Sequence, residues 1–245
     1  MQTAAYLKSL PVLPAAQQDI VIDTYMHIVA ESNSTEGGYA LRKDVEEQFQ
    51  VLVDGFKGSG INFTLKDISW TVKKDLSNLR GGTQPQAKAL RKGGYNTLNL
   101  YYVKFIDGAG GYCNYPVRNP SKSQMLDDGC WQRISTMAYN KTPRKMVKTT
   151  THEVGHWLHL FHPHEGGCNN PGDHVDDTPA EKLEEFKIYE CNNKDKDTCP
   201  KMPRKDPIHN YMAYVFDSCK DHFTPGQKER MRVAWDKLRK GRTVV

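Results

Sequence analysis

Residues 152–162 read H-E-V-G-H-W-L-H-L-F-H, and no other stretch restricts the fold of this chain as tightly. A helix puts side chains four apart on one face, with Cβ atoms roughly 5–6 Å apart. His152 and His156 can then turn both imidazoles toward one ion, at a Zn–N distance of roughly 2.0–2.1 Å. Glu153 lies beside the first of them, where its carboxylate can reach metal-bound water without joining the ligands. That is the arrangement of a zinc hydrolase with Glu153 as general base. Such a zinc usually has three protein ligands. His162 can be the third only if the helix stops, because ten residues of unbroken helix rise about 15 Å. His159 fails for a similar reason, lying about 10.5 Å along the axis from His152. The chain must therefore turn sharply near residue 159 and bring His162 back beneath the metal.

Strand-like runs rich in β-branched and aromatic residues fall at Ile20–Ala30, Ile61–Val72 and Thr97–Phe105. Between the first two, Val45, Phe49, Leu52 and Val53 recur at helical spacing and predict a helix over Lys43–Phe56. Gly81, Gly82, Gly93 and Gly94 bracket a polar segment whose interior, Gln86–Arg91, suits a short helix, and the glycines at 108–111 read as a loop. No glycine pattern makes a phosphate cradle. A final helix is predicted over Pro225–Arg239, with Thr224 as N-cap and Pro225 at the first position.

The motif and several separated stretches resemble the metzincin metallopeptidases, whose pattern is H-E-x-x-H-x-x-G-x-x-H. More narrowly they resemble the pappalysin family, above all its secreted fungal members. The resemblance is carried by I-V-I-D-T-Y-M-H-I-V-A at 20–30, G-I-N-F at 60–63 and T-T-T-H-E-V-G-H-W at 149–157. It continues through G-D-H-V-D-D-T-P at 172–179, H-N-Y-M-A-Y at 209–214 and D-S-C-K-D-H-F-T-P-G-Q-K-E-R-M at 217–231. It implies an α+β metzincin fold with an α/β-like upper lobe. That lobe would hold a twisted, mixed five-stranded sheet, a backing helix and the active-site helix over residues 1–162. An irregular lower lobe with a methionine turn and the C-terminal helix would follow over 163–245, the two forming one catalytic domain. The implied activity is that of a zinc metalloendopeptidase (EC 3.4.24 class), hydrolysing peptide bonds by a zinc-bound water that Glu153 activates. The competing reading is a catalytically impaired, zinc-stabilised secreted binding or effector protein.

One departure stands at the family's turning glycine, which is His159 here. Glycine tolerates positive φ without a Cβ clash, and histidine is among the other residues enriched there. His159 is read either as a tolerated C-cap residue or as an alternative ligand or pH-sensitive group. Met212 in N-Y-M-A-Y corresponds to the methionine that floors the zinc site, although Met fills irregular core gaps in any protein. Tyr214 corresponds to a family tyrosine near the metal. It can either donate to the oxyanion of peptide hydrolysis or serve as a buried structural tyrosine.

Gly172–Pro179 is a candidate calcium loop, since Asp173, Asp176, Asp177 and Thr178 offer hard oxygen ligands. Three acids in a loop flanked by Gly and Pro also describe an ordinary solvated turn. Six cysteines suit three disulfides and an oxidising compartment, but their connectivity does not follow from sequence alone. The resemblance implies Cys168–Cys199 and Cys191–Cys219, leaving Cys113 with Cys130.

Sequons at Asn33, Asn62 and Asn140 permit glycosylation. With the cysteines they favour a secreted, extracellular protein. The first residues lack the apolar stretch of a secretory signal, so any leader or pro-segment is expected outside this sequence. No apolar run is long enough to span a membrane. The net charge of +5 is modest for 245 residues. The basic clusters Lys141–Lys148 and Lys201–Lys205 lack aromatic interleaving and read as solvated faces, not a nucleic-acid surface. The resemblance implies protein or peptide substrates as partners, and the chain is expected to be a monomer that binds no nucleic acid and no membrane. The expected cofactors are one catalytic Zn²⁺ and a candidate structural Ca²⁺.

Overall fold

A computed structural model of the chain describes residues 18–80, 85–138, 147–169, 171–183 and 188–242. Asn140 and most of the 141–148 cluster lie outside these residues, as do Gly81 and Gly82.

The upper part is a five-stranded mixed sheet in the order β2 (Ile61–Val72), β1 (Ile20–Ala30), β4 (Leu98–Val103), β7 (Cys130–Arg133), β6 (Gly111–Cys113). Strand β1 is an interior strand and runs parallel to both β2 and the central β4. Its inward set Ile20, Ile22, Thr24 and Met26 alternates with outward residues at first, and the strand is then buried on both faces from Met26 to Ala30. A strand covered on both sides needs a continuous apolar run, which Met26–Ala30 supplies apart from His27. That imidazole is matched by Ser69 (2.8 Å) and Asn99 (3.0 Å). Strand β7 (Cys130–Arg133) is parallel to β4, and β6 (Gly111–Cys113) closes the sheet antiparallel to β7 as an edge strand.

Helix α1 (Arg42–Gly55) connects β1 to β2 and buries Val45, Gln48 and Leu52. Gln48 couples this backing helix to the site. Its amide donates to Val147 O (2.9 Å) and Thr150 Oγ1 (3.1 Å) and accepts from Ala138 N (2.9 Å). Short elements follow: α2 (Lys74–Ser77), β3 (Asn78–Leu79), α3 (Pro85–Leu90), β5 (Phe105–Ile106) and α4 (Lys122–Leu126).

Three sequence expectations are corrected here. The run Thr97–Phe105 is not one strand, because the chain leaves the main sheet after Val103 and Phe105–Ile106 pairs with β3 instead. Gly111, read as loop, begins β6. The last helix is α-helical only over Pro225–Ala234 (α6), and Trp235–Arg239 continue as a π-helix with Trp235, Leu238 and Arg239 buried. Its start is as expected: Thr224 and Gln227 form a reciprocal capping box, with Pro at the helix start.

The zinc-motif helix α5 (Thr149–Trp157) lies under the sheet with every residue buried. Val154 and Trp157 join a core shared by sheet residues Ile22, Leu100 and Tyr102 and by Met212, Phe223, Met231 and Trp235 from the C-terminal part. Beyond His162 the described chain is largely irregular, with isolated bridges at Tyr189–Val215 and Asn210–His222. Disulfides join Cys168 to Cys199 and Cys191 to Cys219 there, and Cys113 to Cys130 across β6 and β7. Where regular hydrogen bonding is sparse, cross-links that restrict the unfolded chain contribute roughly 2–4 kcal/mol each. Full reduction is therefore expected to lower the melting temperature sharply. An unchanged melt after thiol titration verifies reduction would refute their structural role.

Candidate active site

Helix α5 ends where the motif requires it. His159 N donates to His156 O (2.8 Å) and Leu160 N to Gly155 O (2.9 Å), and His159 has φ 73°. This is a Schellman ending with His159 in the left-handed C′ position. The ring of His159 turns away from the other histidines: its Nδ1 faces Arg230 Nη2 at 2.9 Å, and Arg230 Nε donates to the His159 carbonyl at 2.8 Å. His159 is thus a helix-terminating residue outside the histidine cluster. Changing it to glycine should remove the strain while keeping the Arg230–carbonyl bond, so stability should change by less than about 1 kcal/mol. A β-branched His159→Val should cost more, about 1–3 kcal/mol, as thermal melts would read.

The sharp turn carries His162 back to the helix. The Nε2 atoms lie 3.2 Å apart for His152 and His156, 3.1 Å for His152 and His162, and 3.0 Å for His156 and His162. Tetrahedral zinc ligands at ordinary bond lengths stand roughly 3.3–3.4 Å from each other, so the cluster needs only a few tenths of an ångström of adjustment. Second contacts set the tautomers. His152 Nδ1 faces Tyr211 O (2.8 Å) and His156 Nδ1 faces Leu160 O (2.7 Å), so each Nδ1 donates and each Nε2 lone pair points inward. Burial holds the imidazoles neutral, pushing His156 down to about 4, His162 to about 2 and His152 well below its ordinary value. Among the described residues, these three are the group of His, Cys, Asp or Glu whose ligand atoms converge. The donor set fits zinc.

Glu153 is 5% exposed, and its Oε2 has no hydrogen-bond partner. Burial pushes its carboxyl up to about 8, with Lys220 pulling the other way. A cation among the histidines would lower it further, toward the range that suits a base at neutral pH.

Two glycines are dictated by close approach. A Cβ on Gly155 would stand 2.5 Å from Met212 Sδ, and one on Gly111 would stand 2.9 Å from Trp131 O and 3.1 Å from Glu153 Cγ. Met212 is fully buried beneath the helix, and its N–H donates to Asn210 Oδ1 at 2.9 Å. The turn 209–214 thus floors the histidines and supplies the Tyr211 carbonyl. Tyr214 stands edge-on to His162, with ring centroids 4.7 Å apart. The three histidines, Glu153, Tyr214, the loop before β6 and Tyr115 line a cleft of about 440 Å³.

The acids of the candidate calcium loop do not converge in the same way. Asp177 accepts from Thr224 Oγ1 (2.6 Å) and Gly226 N (2.8 Å) at the start of α6, and Arg204 donates to the carbonyls of Asp176 and Asp177. Asp173 is buried, with its carboxyl pushed up to about 6, chiefly by burial. In the second basic cluster, Arg204 is occupied by these carbonyls and Lys205 pairs with Asp195. Sequence reasoning missed Tyr115, Gly111 and Lys220 as cleft residues. No local pattern marks them, since the fold brings them in from other elements.

A mixed five-stranded sheet over a helix that presents three convergent histidines and a buried glutamate defines a metalloendopeptidase of the metzincin fold. The family model Peptidase_M43, described as Pregnancy-associated plasma protein-A, matches residues 94–236. The chain belongs to this family. It is 40% identical to an extracellular metalloprotease of Pyricularia oryzae over 232 residues, covering 94% of this chain and 80% of that protein. It is 37% identical over 228 residues to extracellular metalloprotease 1 of Coccidioides posadasii, covering 92% and 80%. In fold it is similar to Tannerella forsythia mature mirolysin in complex with a cleaved peptide (TM-score 0.72, 22% identity, 89% of this chain and 92% of that one). A promirolysin mutant from the same organism gives a TM-score of 0.77, with 22% identity over 97% and 86%.

Proposed function

We propose that this chain is a secreted, zinc-dependent endopeptidase in which Glu153 is the general base. The observation that carries the reading is the buried Glu153 carboxylate, its Oε2 without a hydrogen-bond partner, beside a converged set of three neutral histidines. His152, His156 and His162 would hold the metal. When bound, zinc supplies a Lewis acid that lowers the pKa of water and polarises the scissile carbonyl. Glu153 takes the proton of the attacking water and delivers it to the leaving amine. Tyr214, at the cleft wall against His162, is placed to donate to the developing oxyanion. The edge strand β6 has one neighbour in the sheet and lines the cleft, so an extended peptide can pair with it by strand addition. Gly111 keeps that edge open over Glu153.

Residues 1–162 and 163–245 are read as upper and lower subdomains of one catalytic unit that acts as a monomer on proteins or peptides. The names of its extracellular relatives support secretion, as do the three disulfides. No helix among the described residues is long and apolar enough to cross a membrane. The impaired-effector reading gains nothing from His159, which faces Arg230. Asp177 is engaged at the start of α6, whereas the buried Asp173 Oδ2 and Thr178 Oγ1 have no hydrogen-bond partner, so these two are the loop oxygens left for a structural Ca²⁺.

The test is casein cleavage with and without a zinc chelator, then after zinc is restored. Loss and rescue of cleavage are expected. Cleavage untouched by a chelator that demonstrably strips zinc would refute the metal-dependent reading.

A further inference from the structure

The cleft holds one charged residue that the hydrolytic machinery leaves unused. Lys220 lines the wall with Thr149, Val215 and Glu153, yet its side chain is only 9% exposed. Lysine is almost never buried unless it is paired. Its partner is Asp217, with Nζ to Oδ1 at 3.4 Å. That carboxylate is not part of the cleft lining. Its other oxygen accepts the backbone N–H of Lys148 (2.6 Å), the N-cap residue of α5, and its side chain is 7% exposed. Asp217 therefore sits behind the ammonium, anchored to the helix start where a negative charge is favoured.

An ammonium has three N–H donors, and one 3.4 Å contact leaves capacity for another acceptor. Among the described residues lining the cleft, Lys220 is the one Lys or Arg and Glu153 the one Asp or Glu. The neighbouring wall of Thr149, Ile188, Tyr214 and Val215 carries no formal charge at neutral pH. Burial lowers the Lys220 pKa while Asp217 opposes it, so a second carboxylate would further stabilise the charged form.

We propose that Lys220 is a specificity-determining residue, whose ammonium receives an Asp or Glu side chain of the substrate residue next to the scissile bond. The inference rests on the reading that peptides lie in this cleft. A carboxylate entering between Thr149 and Val215 meets a cation in a partly desolvated wall, where ion pairing is stronger than in water. An Arg or Lys side chain meets like charge instead, a repulsive element that discriminates against it.

The test uses one peptide sequence carrying Asp, Glu, Ala or Arg at each position flanking the scissile bond. The wild-type protein is expected to prefer the acidic peptides at one position by roughly tenfold or more in kcat/KM over Ala. Lys220→Arg should retain the preference. Lys220→Met should uncover Asp217 and move selection toward Arg, and adding Asp217→Asn to it should remove charge selectivity altogether. Lys220→Gln serves where Lys220→Met fails to fold, because it keeps a donor for Asp217 without the charge. Binding of the same peptides to Glu153→Gln, read by fluorescence anisotropy, reports selectivity without turnover. Acid-selective binding with no cleavage by the wild type would sink the peptidase reading and keep the role of Lys220. Cleavage with equal rates for Asp, Ala and Arg peptides, or an acid preference that survives loss of the Lys220 charge, would overturn it.

Discussion

Replacing Glu153 with glutamine is expected to lower kcat by roughly 10²–10⁴-fold or more while leaving fold and zinc content unchanged. Glutamine has nearly the shape of glutamate, so the packing under β6 survives, including the close approach to Gly111. What it loses is the ability to accept a proton. The unpartnered Oε2 makes this separation clean, since no described hydrogen bond of that atom is broken by the change. The pH dependence has a defined sign. The proposed general base must act as a carboxylate, and burial raises the Glu153 pKa to about 8 before any metal is counted. Activity should therefore rise with pH through the metal-lowered value of that pKa, giving an acid limb that Glu153→Gln abolishes along with turnover. Measured zinc content near one per chain, together with wild-type kcat in the variant, would remove Glu153 from the mechanism.

The largest effect on stability is expected from Asp128→Ala, which should cost about 3–5 kcal/mol and lower the melting temperature by on the order of 6–20 °C. Asp128 is fully buried and joins three elements. It accepts from Trp157 Nε1 (2.9 Å) at the end of α5 and from both terminal nitrogens of Arg239 (3.0 Å each) in the final π-helix, and Arg91 lies 3.6 Å away. Arg239 also stacks over the Trp157 ring at 3.6 Å and donates to the carbonyls of Trp157 and Tyr95. Removing the carboxylate leaves the Arg239 guanidinium, itself fully buried, without its counter-charge. That is the costly way to break a buried pair. A control is Asp54→Ala, whose exposed pair with Lys57 should contribute under about 1 kcal/mol. Equal losses from the two variants would show that the buried cluster is not the clamp described here.

The fold was legible where its determinants are local. Strands Ile20–Ala30 and Ile61–Val72 begin and end as the β-branched runs do, and the backing helix is displaced by one residue at each end. Strands β6 and β7 carried no such signal. They have three and four residues, one opens with a glycine, and they exist because they pair with each other and with β4. The π-helical ending was equally hidden, because its inward-facing Arg239 is held by Asp128, more than a hundred residues earlier.

The candidate site divides along the same line. Helical periodicity alone brings His152 and His156 together. The need for a third ligand forces a turn near residue 159, where His159 has φ 73°. The spacing within eleven residues therefore determined the helix, its ending and the histidine cluster, because all three depend on short-range backbone geometry. The cleft around them depends on contacts between distant elements: β6 laid over Glu153, Met212 under Gly155, and Lys220 turned inward against Asp217. No periodicity encodes such contacts, since each arises only when the sheet, the helix and the irregular C-terminal segment pack into one core. The sequence thus determined which chemistry the chain can hold, and the tertiary structure decided which charge faces the substrate.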